Sequence, residues 1–272
     1  MRSFGLLALS ELLLCSLATA YPQPNIRAQD KSNDITAQTP IELQEQATTY
    51  PDFDDSIEEP YHTFPSWDTS HLLARRLLAL STTGVLSTVY PSTSSVHGGS
   101  LSGIPIGLPD YIADCANDPN SELTDLLGPG NPLILALNIG TTFRNTKAGS
   151  NISLSLDWWH SSKTGDASLA SLPRVSLLGT LVPLENLSNA TREAVERCFV
   201  ASHPDAKWWL PGHDDTAHSG YWAKLDVKEA FWVGGFGDRA RIGWLVPEAW
   251  KAVRREGGNG KEGWADVKLP GE

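Results

Sequence analysis

The sequence predicts an antiparallel β-barrel or sandwich of six or seven strands, decorated by two principal helices. Three observations point there. Residues 221–245 hold Tyr221, Ala223, Leu225 and Val227 alternating with Trp222, Lys224, Asp226 and Lys228, then a glycine-rich turn at 234–238 and a second β-like run at 239–245, which together read as a hairpin. Residues 151–158 alternate just as cleanly, with Ile152, Leu154, Leu156 and Trp158 on one face and Asn151, Ser153, Ser155 and Asp157 on the other. The connections are mostly short and carry turn chemistry, which excludes a βαβ array.

The first element is a helix starting near Ser66, capped by Asp68 or Ser70. Leu73, Leu77 and Leu80 form its apolar stripe, Arg75 and Arg76 point elsewhere, and Gly84 stops it. Strands follow at 85–90 and, after a Ser/Gly/Thr-rich loop, at 104–112, where Pro105 and Pro109 mark an edge. Residues 117–131 read as a loop, and 132–139 as a strand buried on both faces. The strand at 151–158, a loop at 161–170, a strand at 174–182 and a helix at 188–203 come next. That helix packs through Ala194, Val195, Cys198 and Phe199. A loop at 204–219, the hairpin and a short helix from Pro247 to Trp250 complete the domain.

The ends have a different character. Arg2, a short apolar run and Ala18–Thr19–Ala20 spell a secretory signal peptide over 1–20, cleaved after Ala20. The run is short for a bilayer span. Residues 21–65 form an acidic, proline-containing leader, with Asp52, Asp54, Asp55, Glu58 and Glu59 clustered, that buries too little apolar surface to order itself. Residues 251–272 are a charged, glycine-rich tail. A net charge of −11 without a basic patch argues against nucleic acid and against an anionic membrane surface. Cleavage leaves Cys115 and Cys198, which in an oxidising compartment form one disulfide or stay as two buried thiols.

Candidate chemistry is sparse. The turn Gly234–Gly235–Phe236–Gly237–Asp238 could cradle a phosphate, but such loops need a helix after the glycines and here a strand follows. Arg239 and Arg241 share a face and are candidate anion contacts. His213, Asp214, Asp215 and His218 fit no strong metal spacing, and Asp157–Trp158–Trp159–His160 reads as the aromatic end of a strand. No serine lies in a G-x-S-x-G setting. Three sequons, at Asn151, Asn186 and Asn189, fit N-glycosylation of an exported chain. Asn151 ranks first because it lies on a polar strand face, whereas Asn189 has a rival role as a helix cap and crowding disfavours glycans on both Asn186 and Asn189.

A series of motifs carries a family resemblance: LLARRLLALSTTGVLSTV, Gly103–Ile104–Pro105, FRNTKAGSNISLSL, PRVSLLGTLV, SHPDAKWW and YWAKLDVKEAFWVGGFGDRARIGWL. Over about 66–250 the chain resembles the CREG-type β-barrel family, a branch of the pyridoxamine 5′-phosphate oxidase-like FMN-binding split barrels. The resemblance implies a six- to seven-stranded antiparallel split β-barrel with flanking helices, paired as a homodimer. In the wider superfamily FMN lies in the dimer cleft, and by position Arg144 and Lys147 are the candidates to hold its phosphate. CREG-type members are secreted or endolysosomal glycoproteins regarded as lacking flavin and enzymatic activity, and the GGFGDRAR turn is similar to that of haem-handling split barrels. The expectation is therefore a secreted, N-glycosylated, non-enzymatic homodimer, outside the cell or in an endolysosomal or vacuolar compartment, with a binding or signalling role toward a partner or ligand the sequence does not identify. The alternative is an FMN- or haem-dependent oxidoreductase using Arg144, Lys147, Arg239 and Arg241. Nothing transfers to the leader or the tail.

Overall fold

The computed structural model describes residues 65–92, 100–117, 123–159, 168–212, 218–237 and 240–272. Among them the elements run α1 (Trp67–Leu80), β1 (Thr83–Val89), β2 (Pro105–Tyr111), α2 (Leu123–Leu127), β3 (Leu133–Leu137), α3 (Thr141–Lys147) and β4 (Ile152–Asp157), and then β5 (Arg174–Pro183), α4 (Asn189–Ser202), β6 (Gly220–Val233), β7 (Ile242–Leu245) and α5 (Pro247–Ala252). The strands form one antiparallel sheet in the order β2-β1-β4-β5-β6-β3, with β7 also on β6. Just past β2, Ala113 exchanges two backbone hydrogen bonds with Leu133 of β3, at 3.0 and 2.8 Å. That bridge joins the two edges of the curled sheet at one point, so the split barrel expected from the sequence is the observed fold.

Several expectations about α1 need correcting. Its N-cap is Ser66, whose hydroxyl accepts the Thr69 N–H at 3.0 Å. Asp68 sits instead in the first turn, where a carboxylate favours the positive end of the helix, and the Ser70 hydroxyl donates back to the Ser66 carbonyl at 2.9 Å. The buried face is Ser70, His71, Ala74, Arg75, Leu77 and Leu78, while Leu80 is 40% exposed. Arg75 does not point outward. It is fully buried beside Asp114 and stacks on the Trp250 ring at 4.9 Å. Gly84 is not a helix stop but lies inside β1, where a Cβ would meet the Leu154 and Leu156 side chains at 2.5 and 2.6 Å. His71 ties the helix to the end of β7. Its Nε2 accepts the Val246 N–H at 3.0 Å, so Nδ1 carries the proton donated to the Trp67 carbonyl at 2.6 Å.

β2 lies at the sheet edge, which tolerates its two prolines. β3 is buried on both faces, and β4 alternates as its sequence says. Two short helices were not foreseen. α2 lies inside the expected loop at 117–131, and α3 occupies the Phe143–Lys147 stretch. At five and seven residues they are too short to display a helical period.

The hairpin is present: Val233 pairs Ile242 and Ala230 pairs Leu245, with residues 238 and 239 of its turn outside the described set. The face of β6 expected to be wet is not wet throughout. Trp222 is buried, edge-on to Phe199 of α4 at 5.2 Å. Lys224 turns its ammonium onto the Leu126 and Leu127 carbonyls at 2.8 and 2.9 Å, which satisfies the carbonyl end of α2. β6 therefore separates two apolar clusters. Ala223, Leu225 and Val227 join the barrel interior, while Trp222 joins Leu133, Val195 and Phe199 under α4. Between Val227 and Glu229 the register against β5 shifts and Lys228 faces no partner, a bulge that moves burial onto Ala230 and Trp232. Gly179 makes the bulge sterically feasible, because a Cβ there would stand 2.1 Å from the Asp226 carbonyl oxygen.

α4 is capped by Ser188, which accepts the Thr191 N–H at 3.1 Å, so Asn189 is its first residue and not its cap. The cysteine alternative resolves to a bond: Cys115 and Cys198 are joined, with Cα atoms 6.1 Å apart. The tail after α5 turns back onto the barrel. Leu269 enters the main cluster, Trp264 is buried, and the Trp158 indole donates to the Pro270 carbonyl at 2.7 Å. Arg76 holds this tail by a forked pair to Glu272 at 2.6 and 2.5 Å and by the Trp264 carbonyl at 3.2 Å.

Candidate functional site

Period-2 alternation gives the sheet an outer face as well as an inner one. Its central row, on β4 and the residue just before it, is Asn151, Ser153, Ser155 and Asp157, none of them buried. Across from it stand Val85 and Ser87 of β1, and Ser176 and Leu178 of β5. Where β4 begins and the bulge kinks β6, these strands enclose a groove of 470 Å³ lined by Ser87, Val89, Asn151, Ser153, Thr180 and Lys228. Lys228 is held at its mouth by Asp226 at 2.5 Å. Sequence reasoning named Asn151 and Ser153 here but did not bring Ser87, Val89, Thr180 and Lys228 to them. The usable signal was Lys228–Glu229, two consecutive polar residues that break the alternation of β6.

The residues expected to bind an anion lie elsewhere and apart. Arg144 and Lys147 occupy the last turn of α3, where cations complement the helix's carbonyl end. The Lys147 ammonium donates to the Asn138 side chain and sits 4.7 Å over the Tyr221 ring. Among the described residues Arg144 donates from its side chain to the Thr141 hydroxyl, at 3.4 Å. A 560 Å³ depression adjoins this corner, lined by Asn138, Thr146, Lys147, Leu181, Glu185 and Tyr221, and burial pushes the Tyr221 phenol above its ordinary range against an opposing hydrogen bond with Thr146. Arg241 lies past the opposite end of β6, where its Nε donates to the Pro65 carbonyl at 3.0 Å and its guanidinium stacks over Trp67 at 5.7 Å. Arg239 lies outside the described residues. Within one chain Arg144 and Lys147 share the end of α3 while Arg241 lies past the far end of β6, and Lys147 and Arg241 are both engaged by their own fold.

Other candidates resolve into structure. His203 donates from Nε2 to the Ile112 carbonyl at 2.9 Å and stacks on Tyr111 at 4.2 Å, and the Tyr111 hydroxyl donates to Asp205 at 2.8 Å. Together with the disulfide these contacts fasten the end of α4 to the edge of the barrel. Asp110 beside them is held above the usual carboxylate range by burial, against the Tyr111 N–H and nearby His203. His213, Asp214, Asp215 and His160 lie outside the described residues, among which no cluster of three or more ligating side chains could hold a metal. Trp158 is buried and Trp159 is 40% exposed. Among the described residues no helix is long and apolar enough to cross a membrane. All three sequon asparagines are exposed, and the Ser188 and Thr191 hydroxyls of the paired sequons bond each other at 2.7 Å.

No curated protein matches the chain. Among solved structures it is similar to a heme binding protein from Mycobacterium smegmatis, at 17% identity and a TM-score of 0.49, over 71% of this chain and 62% of that one, so it spans less than two thirds of that protein's length. It is also similar to HutZ, the heme storage protein from Vibrio cholerae, at 14% identity and a TM-score of 0.37, over 58% of this chain and 89% of that one. A third likeness, to a candidate pyridoxamine 5′-phosphate oxidase from Lactobacillus delbrueckii, has 15% identity and a TM-score of 0.32 with the same coverage. The family model described as "CREG, beta-barrel" matches residues 65–252, which takes in every strand described above. The chain belongs to the CREG β-barrel family.

Proposed function

We propose that the chain is an exported, N-glycosylated split-barrel protein that works as a homodimer by binding rather than by redox catalysis, in the extracellular space or an endolysosomal or vacuolar compartment. The observation that carries this reading is the engagement of two of the four candidate cofactor cations: Lys147 contacts Asn138 and Tyr221, and Arg241 contacts Pro65 and Trp67. A flavin phosphate or haem propionate would have to displace those contacts. Export is supported by the basic, apolar and A-x-A pattern of residues 1–20 and by the exposure of Asn151, Asn186 and Asn189.

The test is the visible spectrum and the melting temperature of the secreted protein, with and without added FMN or haem. The expected result is a colourless protein whose melting temperature ignores both, since a ligand that binds only the folded state must raise it. Stoichiometric yellow or Soret absorption would sink this reading. Sequencing of the secreted protein should start at Tyr21.

A further inference from the structure

The family model ends at residue 252, yet the chain beyond it is built into the fold. Residues 254–265 turn back on themselves: the Trp264 N–H donates to the Arg254 carbonyl at 2.9 Å and the Ala265 N–H to the Arg255 carbonyl at 3.0 Å. The two arms touch backbone to backbone, because a Cβ on Gly257 would overlap the Lys261 carbonyl and one on Gly263 the Arg255 carbonyl. Their tip is Asn259–Gly260, the one Asn–Gly pair in the sequence. Both residues have positive φ, 56° and 77°, in a turn closed by the Lys261 N–H on the Gly258 carbonyl at 3.2 Å. The tip stands clear of the fold. Gly258, Asn259 and Gly260 are exposed, and a Cβ on either glycine would meet nothing within 4 Å. The Gly260 N–H has no acceptor among the described residues.

We infer that Asn259 is a self-modifying site: the Gly260 backbone nitrogen attacks the Asn259 side-chain amide, and the isoaspartate that follows loosens the tail from the barrel. A bond forms between Gly260 N and Asn259 Cγ, and the Cγ–Nδ2 bond breaks. Nδ2 leaves as ammonia with the proton lost by the Gly260 nitrogen. Water then opens the cyclic imide. Cleavage at Cγ leaves aspartate, and cleavage at the backbone carbonyl of residue 259 leaves isoaspartate, with no oxidant or cofactor involved. Glycine at 260 places no side chain in the path of the attack. Aspartate tolerates left-handed backbone as asparagine does, so it keeps the turn. Isoaspartate routes the chain through the side-chain carbon and adds a backbone atom at a tip whose arms have no slack. The Trp264 and Ala265 hydrogen bonds give way first. Trp264 is then freed from its buried place, and with it the segment that carries Leu269 into the main cluster and Glu272 to Arg76. The attacking nitrogen must shed its proton, so the step runs at neutral pH and slows in acid. This chemistry is independent of what the barrel binds.

The experiment incubates the purified protein at neutral and at mildly acidic pH, beside Asn259→Gln and Asn259→Asp. Peptide mapping separates aspartate from isoaspartate at each asparagine, and amide exchange follows Trp264 and Ala265. The expected result is isoaspartate at residue 259 ahead of every other asparagine, faster at neutral pH, with the Trp264 and Ala265 amides losing protection in step. Asn259→Gln should stay unmodified and protected, and fresh Asn259→Asp should match fresh wild type. If Asn259→Gln does not fold, the wild-type time course decides alone. An intact Asn259, after an incubation that converts an unstructured peptide of residues 256–262, would overturn the inference. Isoaspartate with protection unchanged would also overturn it. Lost protection in fresh Asn259→Asp would overturn it too, by assigning the effect to charge and not to the longer backbone.

Discussion

The Arg75 guanidinium lies 3.4 Å from the Asp114 carboxylate with both side chains shut away from water. Burial alone would drive Arg75 toward its neutral form, and Asp114 opposes that. The Arg75 Nε and Nη1 find no hydrogen-bond partner among the described residues, so the Trp250 face supplies much of the remaining compensation.

Arg75→Ala should therefore cost about 3–5 kcal/mol, because it removes the cation that faces the buried Asp114 carboxylate. Arg75→Met combined with Asp114→Leu should cost much less. Urea unfolding of the two proteins decides it. Equal losses would show that packing, and not charge, sets the cost.

The Cys115–Cys198 bond spans a sequence separation of 83 residues. A loop of that size gives a chain-entropy contribution of at most roughly 4–5 kcal/mol. Reduction, or the Cys115→Ala/Cys198→Ala double variant, should lower the melting temperature and speed amide exchange first in α4. Unchanged exchange in α4 would contradict the role assigned to the bond.

At Gly179 there is no space for a side chain, given the 2.1 Å approach of a Cβ to Asp226. Gly179→Ala should cost about 1–3 kcal/mol or more as overpacking against backbone. Amide exchange should report the loss at the β5–β6 pairing around the bulge. A variant as stable as wild type would mean that the strands separate there at little cost.

Asp110 gives the pH dependence. Burial raises its pKa above the ordinary value, so between the two values the native state holds a proton that the unfolded chain has lost. Stability contributed by this residue accordingly falls as pH rises through that window. Asp110→Asn should be more stable than wild type at neutral pH, with the difference vanishing in acid. A difference that grew toward acid would have the wrong sign.

Much of the barrel was legible because strand signals are local. The alternation at Asn151–Asp157 and the prolines of β2 each report a face or an edge directly. What escaped the sequence depends on partners remote in the chain. Arg75 looked solvated until Asp114, 39 positions away, came beside it. Lys224 looked wet until α2 presented two carbonyls to it, about 97 positions back. Arg144 and Lys147 were candidate phosphate ligands only by their position in the family resemblance, and a seven-residue helix shows no period that would have placed them at its carbonyl end. The groove was half legible. Asn151 announces itself by its sequon, whereas Thr180 and Lys228 reach it only through the bulge.

β6 carries Trp222 in one apolar cluster and its neighbour Ala223 in the other. Neighbouring residues in a strand are one peptide unit apart, so neither cluster can slacken without dragging the lining of the other. The two clusters should consequently melt together, in a single calorimetric transition whose enthalpy equals the van't Hoff value. A disturbance of α4 at the surface would then register inside the barrel, some way from where it began.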